Sequence, residues 1–250
     1  MKVNTMRAID YYVGIPLCFG LTLAQWFVSL FIKTKKAPLK NVLFIELSEM
    51  GSTILVDPAM RRLRDKTGVE LFFLIFESGR PSLELLNTIP QKNIRTIRDK
   101  NLVTLAIDTL SFFIWARKNK IETVIDLELF SRFTALLTAL CGAKNRVGFY
   151  AFHHEGLYRG QFLTHKVSYN PHIHISKNFV ALVHALITDK KEHPYSKTVI
   201  QDEEIKIQKV YFTETQKSEI KEKIQTSFTE FNPAIHKIIV INPNASELLP

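Results

Sequence analysis

The chain has 250 residues, 46% of them apolar and 23% charged, with 18 Phe. This excludes a disordered or collagen-like polypeptide and suits one sizeable core with attached segments. A formal charge of +9 implies anionic surroundings, whether nucleic acid, anionic lipid or a phosphorylated substrate. The two cysteines, Cys18 and Cys141, form neither a disulfide framework nor a zinc ligand set, and point to a reducing compartment.

The first predicted element is apolar. Residues 11–32, YYVGIPLCFGLTLAQWFVSLFI, run for 22 positions without a charge, enough to cross a hydrocarbon core of about 30 Å as a helix. The run leaves through FVSLFIKTKKAPLK without a small-x-small exit, so a retained single-pass anchor is expected in place of a cleaved signal. Lys33, Lys35, Lys36 and Lys40 follow it, whereas Lys2 and Arg7 before it are offset by Asp10. The positive-inside bias therefore predicts that the bulk of the chain is cytoplasmic, and the same lysines suit anionic headgroups.

After Pro38, apolar runs alternate with amphipathic stretches, the sequence form of βαβ units around a parallel sheet. Strands are predicted over 42–47, 70–76, 93–97, 123–127 and 146–149, and helices over 52–66, 82–87, 101–119 and 131–141. Residues 150–171 read as a long loop beside the carboxyl ends of the strands, the edge where ligands bind in such folds. A helix follows over 172–187, a polar linker over 190–197, a charged helix over 215–225 and a buried strand over 237–241. The expected organisation is an anchor and basic linker (1–40), a Rossmann-like domain (41–189), a linker with a charged helix (190–236) and the start of a second Rossmann unit (237–250).

Three blocks carry the chemistry. VLFIELSEMGSTILVDPAMRRLR is a strand, a glycine-containing turn and a helix, a geometry that aims backbone N–H groups at an anionic ligand. GxGxxG is absent, so it is not a dinucleotide fingerprint. Together with VIDLELFSRFTALLTALCGAKNRVGF and VINPNASELLP, it resembles in order and spacing three blocks of the heptosyltransferase-like glycosyltransferases (glycosyltransferase family nine), over residues 41–250. The resemblance implies an α/β fold with a Rossmann-like parallel sheet, the N-terminal half of a two-domain GT-B enzyme, preceded here by one transmembrane helix. It also implies inverting transfer of a heptose-like sugar from a nucleotide sugar such as ADP-heptose to a lipid-linked saccharide at the bacterial inner membrane. No further cofactor and no nucleic-acid partner are implied.

Residue by residue, the resemblance is uneven. In the family the first turn reads Gly-Asp, the Asp resembling a general base; here it reads Gly51-Ser52, and a serine hydroxyl is not basic near neutral pH. Glu49 and Ser52 are the catalytic candidates, with Glu46 the other nearby carboxylate. The bland readings are a surface glutamate for Glu49, a helix N-cap for Ser52 and a structural role for Asp57. Gly51, Glu128, Arg132, Tyr158 and Arg159 are acceptor-binding candidates. Arg132 either faces an acidic acceptor, which a guanidinium grips bidentately, or pairs with Glu128 or Asp126. Asn244 and Ser246 match the start of a donor site whose remainder is expected beyond Pro250, so the chain is expected not to catalyse transfer alone. The alternative is a non-catalytic, membrane-anchored acceptor-binding or assembly module. His153, His154, His165, His172 and His174 lack HExxH spacing or a cysteine partner, and no metal site is expected.

Overall fold

Runs such as NVLFI and ELFFLIF are too short for helices and apolar on both alternating faces, the pattern of strands covered from both sides. The computed structural model, which describes residues 3–31, 38–47, 50–150, 158–188 and 199–241, places them at the centre of a parallel sheet. Its strands are β1 (Asn41–Ile45), β2 (Glu70–Phe76), β3 (Ile94–Ile97), β4 (Thr123–Asp126), β5 (Asn145–Tyr150) and β6 (His165–Ser168), in the order β3-β2-β1-β4-β5-β6.

Helices cover both faces. On one, α4 (Asp57–Thr67) and α8 (Ile175–Ile187) pack with Val42, Phe44, Phe73, Val147 and Phe179 into one apolar cluster. On the other, α6 (Leu102–Lys118) and α7 (Arg132–Leu140) pack with Leu43, Ile45, Phe72, Leu74, Phe112 and Leu137. Successive residues of β1 thus feed opposite cores, as a period of two requires. Smaller helices α3 (Met50–Leu55) and α5 (Arg80–Leu86) follow β1 and β2.

The helix predicted over 52–66 is two helices, α3 and α4, parted at Val56, with a proline in the first turn of α4, where the absent N–H costs no bond. Asp57 is fully buried there; it accepts from Arg61 Nε at 2.8 Å and from the Thr88 hydroxyl. Gly68 ends α4 at φ 68°, and its N–H returns to Arg64 O at 2.7 Å, the left-handed cap that favours glycine. The stretch predicted as a loop over 150–171 contains β6, which pairs parallel with β5 from Val147 opposite His165 to Tyr150 opposite Ser168. Four residues, HKVS, with only Val167 buried, carry too weak an alternation to announce an edge strand.

The apolar N-terminal run forms α1 (Val3–Tyr12) and α2 (Gly14–Phe31). Residues Asn4–Phe31 make one stretch long and apolar enough to cross a membrane, with 11% of its most apolar window buried. One side of α2 packs along α7, where Cys18, Ala135 and Phe162 form a small apolar cluster flanked by Leu21, Leu136 and Ala139.

The chain divides into two compact units, 1–208 and 209–250. The second contains α9 (Glu214–Ser227), started by a reciprocal cap in which Thr213 Oγ1 accepts from Gln216 N at 3.2 Å and Gln216 Oε1 accepts from Thr213 N at 2.9 Å. The strand predicted over 237–241 is not formed. Ile239 and Val240 are 83% and 85% exposed, and strand propensity without a neighbouring edge makes no ladder.

Phe73 stacks on Phe44 with ring centroids 6.4 Å apart at the middle of the sheet, and both are fully buried. Phe73→Ala is expected to cost about 3–5 kcal/mol, read as a lower urea midpoint with an unchanged slope.

Candidate functional site

The sheet order reverses between β1 and β4: the chain leaves β1 toward β2 on one side and returns to β4 on the other. Such a switch point leaves a crevice outside the carboxyl ends of the two strands, where ligands bind in open α/β sheets. At the exit of β1 stands Glu46, and at the exit of β4 stand Asp126 and Glu128, exposed by 3%, 1% and 8%. The exits are tied together: Leu127 N donates to Ile45 O at 3.0 Å and Leu47 N to Glu128 Oε1 at 3.1 Å. Glu128 is therefore held by the backbone of the opposite strand.

Arg159 organises this edge. Its Nε donates to Ser131 O at 2.8 Å, its Nη1 to Glu128 O, and its Nη2 to Asp126 Oδ2 and to Thr134 Oγ1 at 3.0 Å. Its side chain is 11% exposed, so the pair with Asp126 is a desolvated, charge-assisted one. Burial pushes the Asp126 carboxyl up to about 6; Arg159 opposes this and the negative Glu128 adds to it.

A second ion pair lies at the start of α7. The side chain of Arg132 is 4% exposed; its Nη1 meets Asp10 Oδ2 at 2.9 Å and its Nε donates to Tyr158 O at 2.9 Å. Asp10 Oδ1 accepts from the backbone N–H groups of Arg132 and Phe133 at 2.8 and 3.0 Å, so this carboxylate from α1 also satisfies the open amino end of α7. The guanidinium stands 5.8 Å from the Tyr11 ring centroid. A Cβ on Gly14 would come within 2.9 Å of Arg132 Cβ, so α2 approaches this closely because position 14 is glycine. Thr22 Oγ1 accepts from Gln161 N at 3.2 Å, adding a polar link to the segment that carries Tyr158 and Arg159.

The structure therefore gathers Glu128, Arg132, Tyr158 and Arg159 at one edge. The pairing expected of Arg132 with Glu128 or Asp126 is made by Arg159 with Asp126, while Arg132 takes Asp10. Ser52 is buried within the first turn of α3, which begins at Met50, and so is not an N-cap. Gly51 is exposed in that turn, with open space where a Cβ would stand. Glu49, Asn244, Ser246, His153 and His154 lie outside the described residues. His165 Nδ1 is 2.9 Å from Thr164 Oγ1, and His174 Nδ1 accepts from Ser176 N at 3.3 Å as the cap of α8. Among the described residues, no three His, Cys, Asp or Glu side chains converge as metal ligands do. Sequence reasoning missed Asp10, although its one signal was plain: it is the only acidic residue before Glu46.

No family model and no curated protein matches the chain. Solved structures do. The ADP-heptose lps heptosyltransferase II of E. coli is similar at a TM-score of 0.56 and 15% identity, over 74% of this chain and 50% of that one. A glycosyl transferase family 9 protein of Veillonella parvula is similar at 0.54 and 17%, over 80% and 52%. E. coli heptosyltransferase WaaC, solved with ADP-2-deoxy-2-fluoro heptose, is similar at 0.51 and 14%, over 64% and 50%. These likenesses show a Rossmann-like parallel sheet of the kind found in those glycosyltransferases, and the chain spans about half the length of the solved structures it matches.

Asp10→Ala leaves a buried guanidinium without its counter-charge. A loss of about 3–5 kcal/mol is expected, together with faster hydrogen exchange in α1 and α2. Asp126 gives a pH signature. Its folded pKa of about 6 lies above the ordinary carboxyl value, so the folded state binds the extra proton between them. Stability is expected to fall as pH rises from about 4 to 6 and then to level off, and Asp126→Asn is expected to flatten that slope in urea titrations at stepped pH.

Proposed function

We propose that this chain is the acceptor-binding half of a glycosyltransferase that moves a heptose-like sugar from a nucleotide sugar such as ADP-heptose to a lipid-linked saccharide, at the cytoplasmic face of a bacterial inner membrane. The observation that carries this reading is the reversal between β1 and β4 with its Asp126–Arg159 and Glu128 cluster, in a fold similar to heptosyltransferases. Support for the donor comes from one of those neighbours, solved with ADP-2-deoxy-2-fluoro heptose. Support for the membrane comes from the long apolar stretch Asn4–Phe31.

In this reading the acceptor lies in the crevice beside Gly51, with Glu128, Arg132, Tyr158 and Arg159 shaping its polar wall. An acceptor hydroxyl attacks the anomeric carbon, the bond to the nucleotide diphosphate breaks on the opposite face, and the configuration inverts. The hydroxyl proton passes to Glu49, with Ser52 the other catalytic candidate of the same block. Asn244 and Ser246 are the donor-binding candidates of this reading, in which backbone N–H groups and cations steady the charge of the departing diphosphate. A second reading, a non-catalytic acceptor-binding module, is favoured by Gly51-Ser52, which puts a hydroxyl where a base is expected.

The two part in one experiment. The full chain in detergent is titrated with the lipid-linked saccharide, and transfer from ADP-heptose is then measured with the nucleotide-binding half of a family nine heptosyltransferase added in trans. Transfer that falls about 10²- to 10⁴-fold in Glu49→Gln with KM little changed is the expected result. Saccharide binding without transfer selects the module, and failure to bind the saccharide ends both readings.

A further inference from the structure

α6 is apolar on both sides. Its inner residues Phe112 and Ala116 are fully buried against the sheet, with Leu105 and Trp115 beside them. Its outer residues Val103, Ile107, Leu110 and Ile114 recur at i, i+4, i+7 and i+11, one stripe along a helix, and are 69%, 55%, 65% and 70% exposed. A surface helix normally turns charge outward, and one that is apolar all round is covered on both sides.

Two observations identify the cover. The first is continuity with another apolar surface. α2, part of the stretch long enough to cross a membrane, packs along α7, the neighbour of α6 on the same face of the sheet; its Leu23, Trp26 and Phe27 are 51%, 62% and 59% exposed. Met6 of α1 packs on the same apolar cluster as Phe112. The second is charge. Lys100 precedes α6, Arg117 and Lys118 close it, and Lys120 follows, all of them exposed. Of the acids nearby, Asp108 is turned inward and gripped by Arg98 Nε and Nη2 at 2.9 and 2.8 Å, Glu122 is paired with Lys144 at 3.3 Å, and Asp99 is half-buried beside Lys100. The stripe thus has a cationic margin at its carboxyl end, the composition of a helix lying at an anionic lipid surface, while at its amino end Lys100 stands beside Asp99. A second copy of the chain packed in parallel on α6 would set Arg117, Lys118 and Lys120 beside their own kind.

We infer that the outer face of α6 is a membrane-docking surface, lying in the plane of an anionic bilayer beside the N-terminal helices. This rests on the membrane reading of the proposed function and deepens it. α6 begins at the carboxyl edge, directly after β3, so docking it holds the crevice level with the headgroups instead of a linker's length from them.

The test uses the full chain in phosphatidylglycerol-containing vesicles, with a polarity-sensitive thiol probe at Leu110→Cys or, separately, at Phe27→Cys. The native thiols Cys18 and Cys141 are buried, so labelling reports the introduced site. A blue-shifted Leu110→Cys probe, quenched by lipid-borne and shielded from aqueous quenchers, is expected. Ile107→Glu with Ile114→Glu should abolish that shift while leaving circular dichroism and the Phe27→Cys signal intact. A probe at 110 that stays aqueous while the one at 27 is quenched overturns the docking surface but leaves the anchor standing. Both probes aqueous overturns the membrane reading as well. Crosslinking of Leu110→Cys between chains in vesicles assigns the stripe to a second copy and overturns the inference.

Discussion

A carboxylate buried at the end of a central strand is costly, and Asp126 is tolerable there because Arg159 comes to it. The same guanidinium ties down Glu128 O, Ser131 O and Thr134 Oγ1, so one side chain fixes the end of β4, the turn after it and the start of α7. These are the segments that bound the crevice at the sheet reversal. Removing the guanidinium would leave a desolvated acid and the Glu128 carbonyl without this donor, at the switch point of the sheet. The edge is preorganised by electrostatics more than by apolar packing.

The second buried guanidinium extends that logic across the molecule. Arg132 and the amino end of α7 take a carboxylate from a helix more than a hundred positions earlier in the chain, so the N-terminal helices are bonded to the carboxyl edge of the sheet as well as leaning on it. Gly14 allows the approach, and Cys18 with Ala135 and Phe162 seals it. What composition describes as a membrane segment is, on one side, part of the domain's own packing. The other side of α2 and the outer stripe of α6 remain apolar and uncovered.

Much of the sheet was legible in advance, and the reason lies in its burial. In β2 every residue after Glu70 is buried, and such a run is bounded sharply by its polar neighbours. α6 and α7 were bounded by Asn101 and Ser131, whose side chains cap them as their residue types suggest. Where burial is one-sided the reading weakened. β6 has one buried residue in four, and isoleucines 238 and 239 have strand chemistry without a strand to pair with. The ion pairs at the carboxyl edge of the sheet were legible by residue type but not by partner. Arg132, Arg159, Asp126 and Glu128 stood out together, yet which cation meets which anion depends on α1 folding back to deliver Asp10, and no local spacing encodes that.

This last connection bears on how the molecule tolerates trimming. Cutting away the apolar leader is the usual route to a more soluble protein, and here it would remove more than a membrane-seeking segment. Asp10 would leave with it, stranding Arg132 and two backbone donors in a newly bared patch that includes Ala135 and Phe162. The shortened chain would trade one sticky surface for another beside the carboxyl edge of the sheet. Solubility is better sought by recolouring the outward residues of α2 in place, Phe19, Leu23 and Phe27, each more than half exposed.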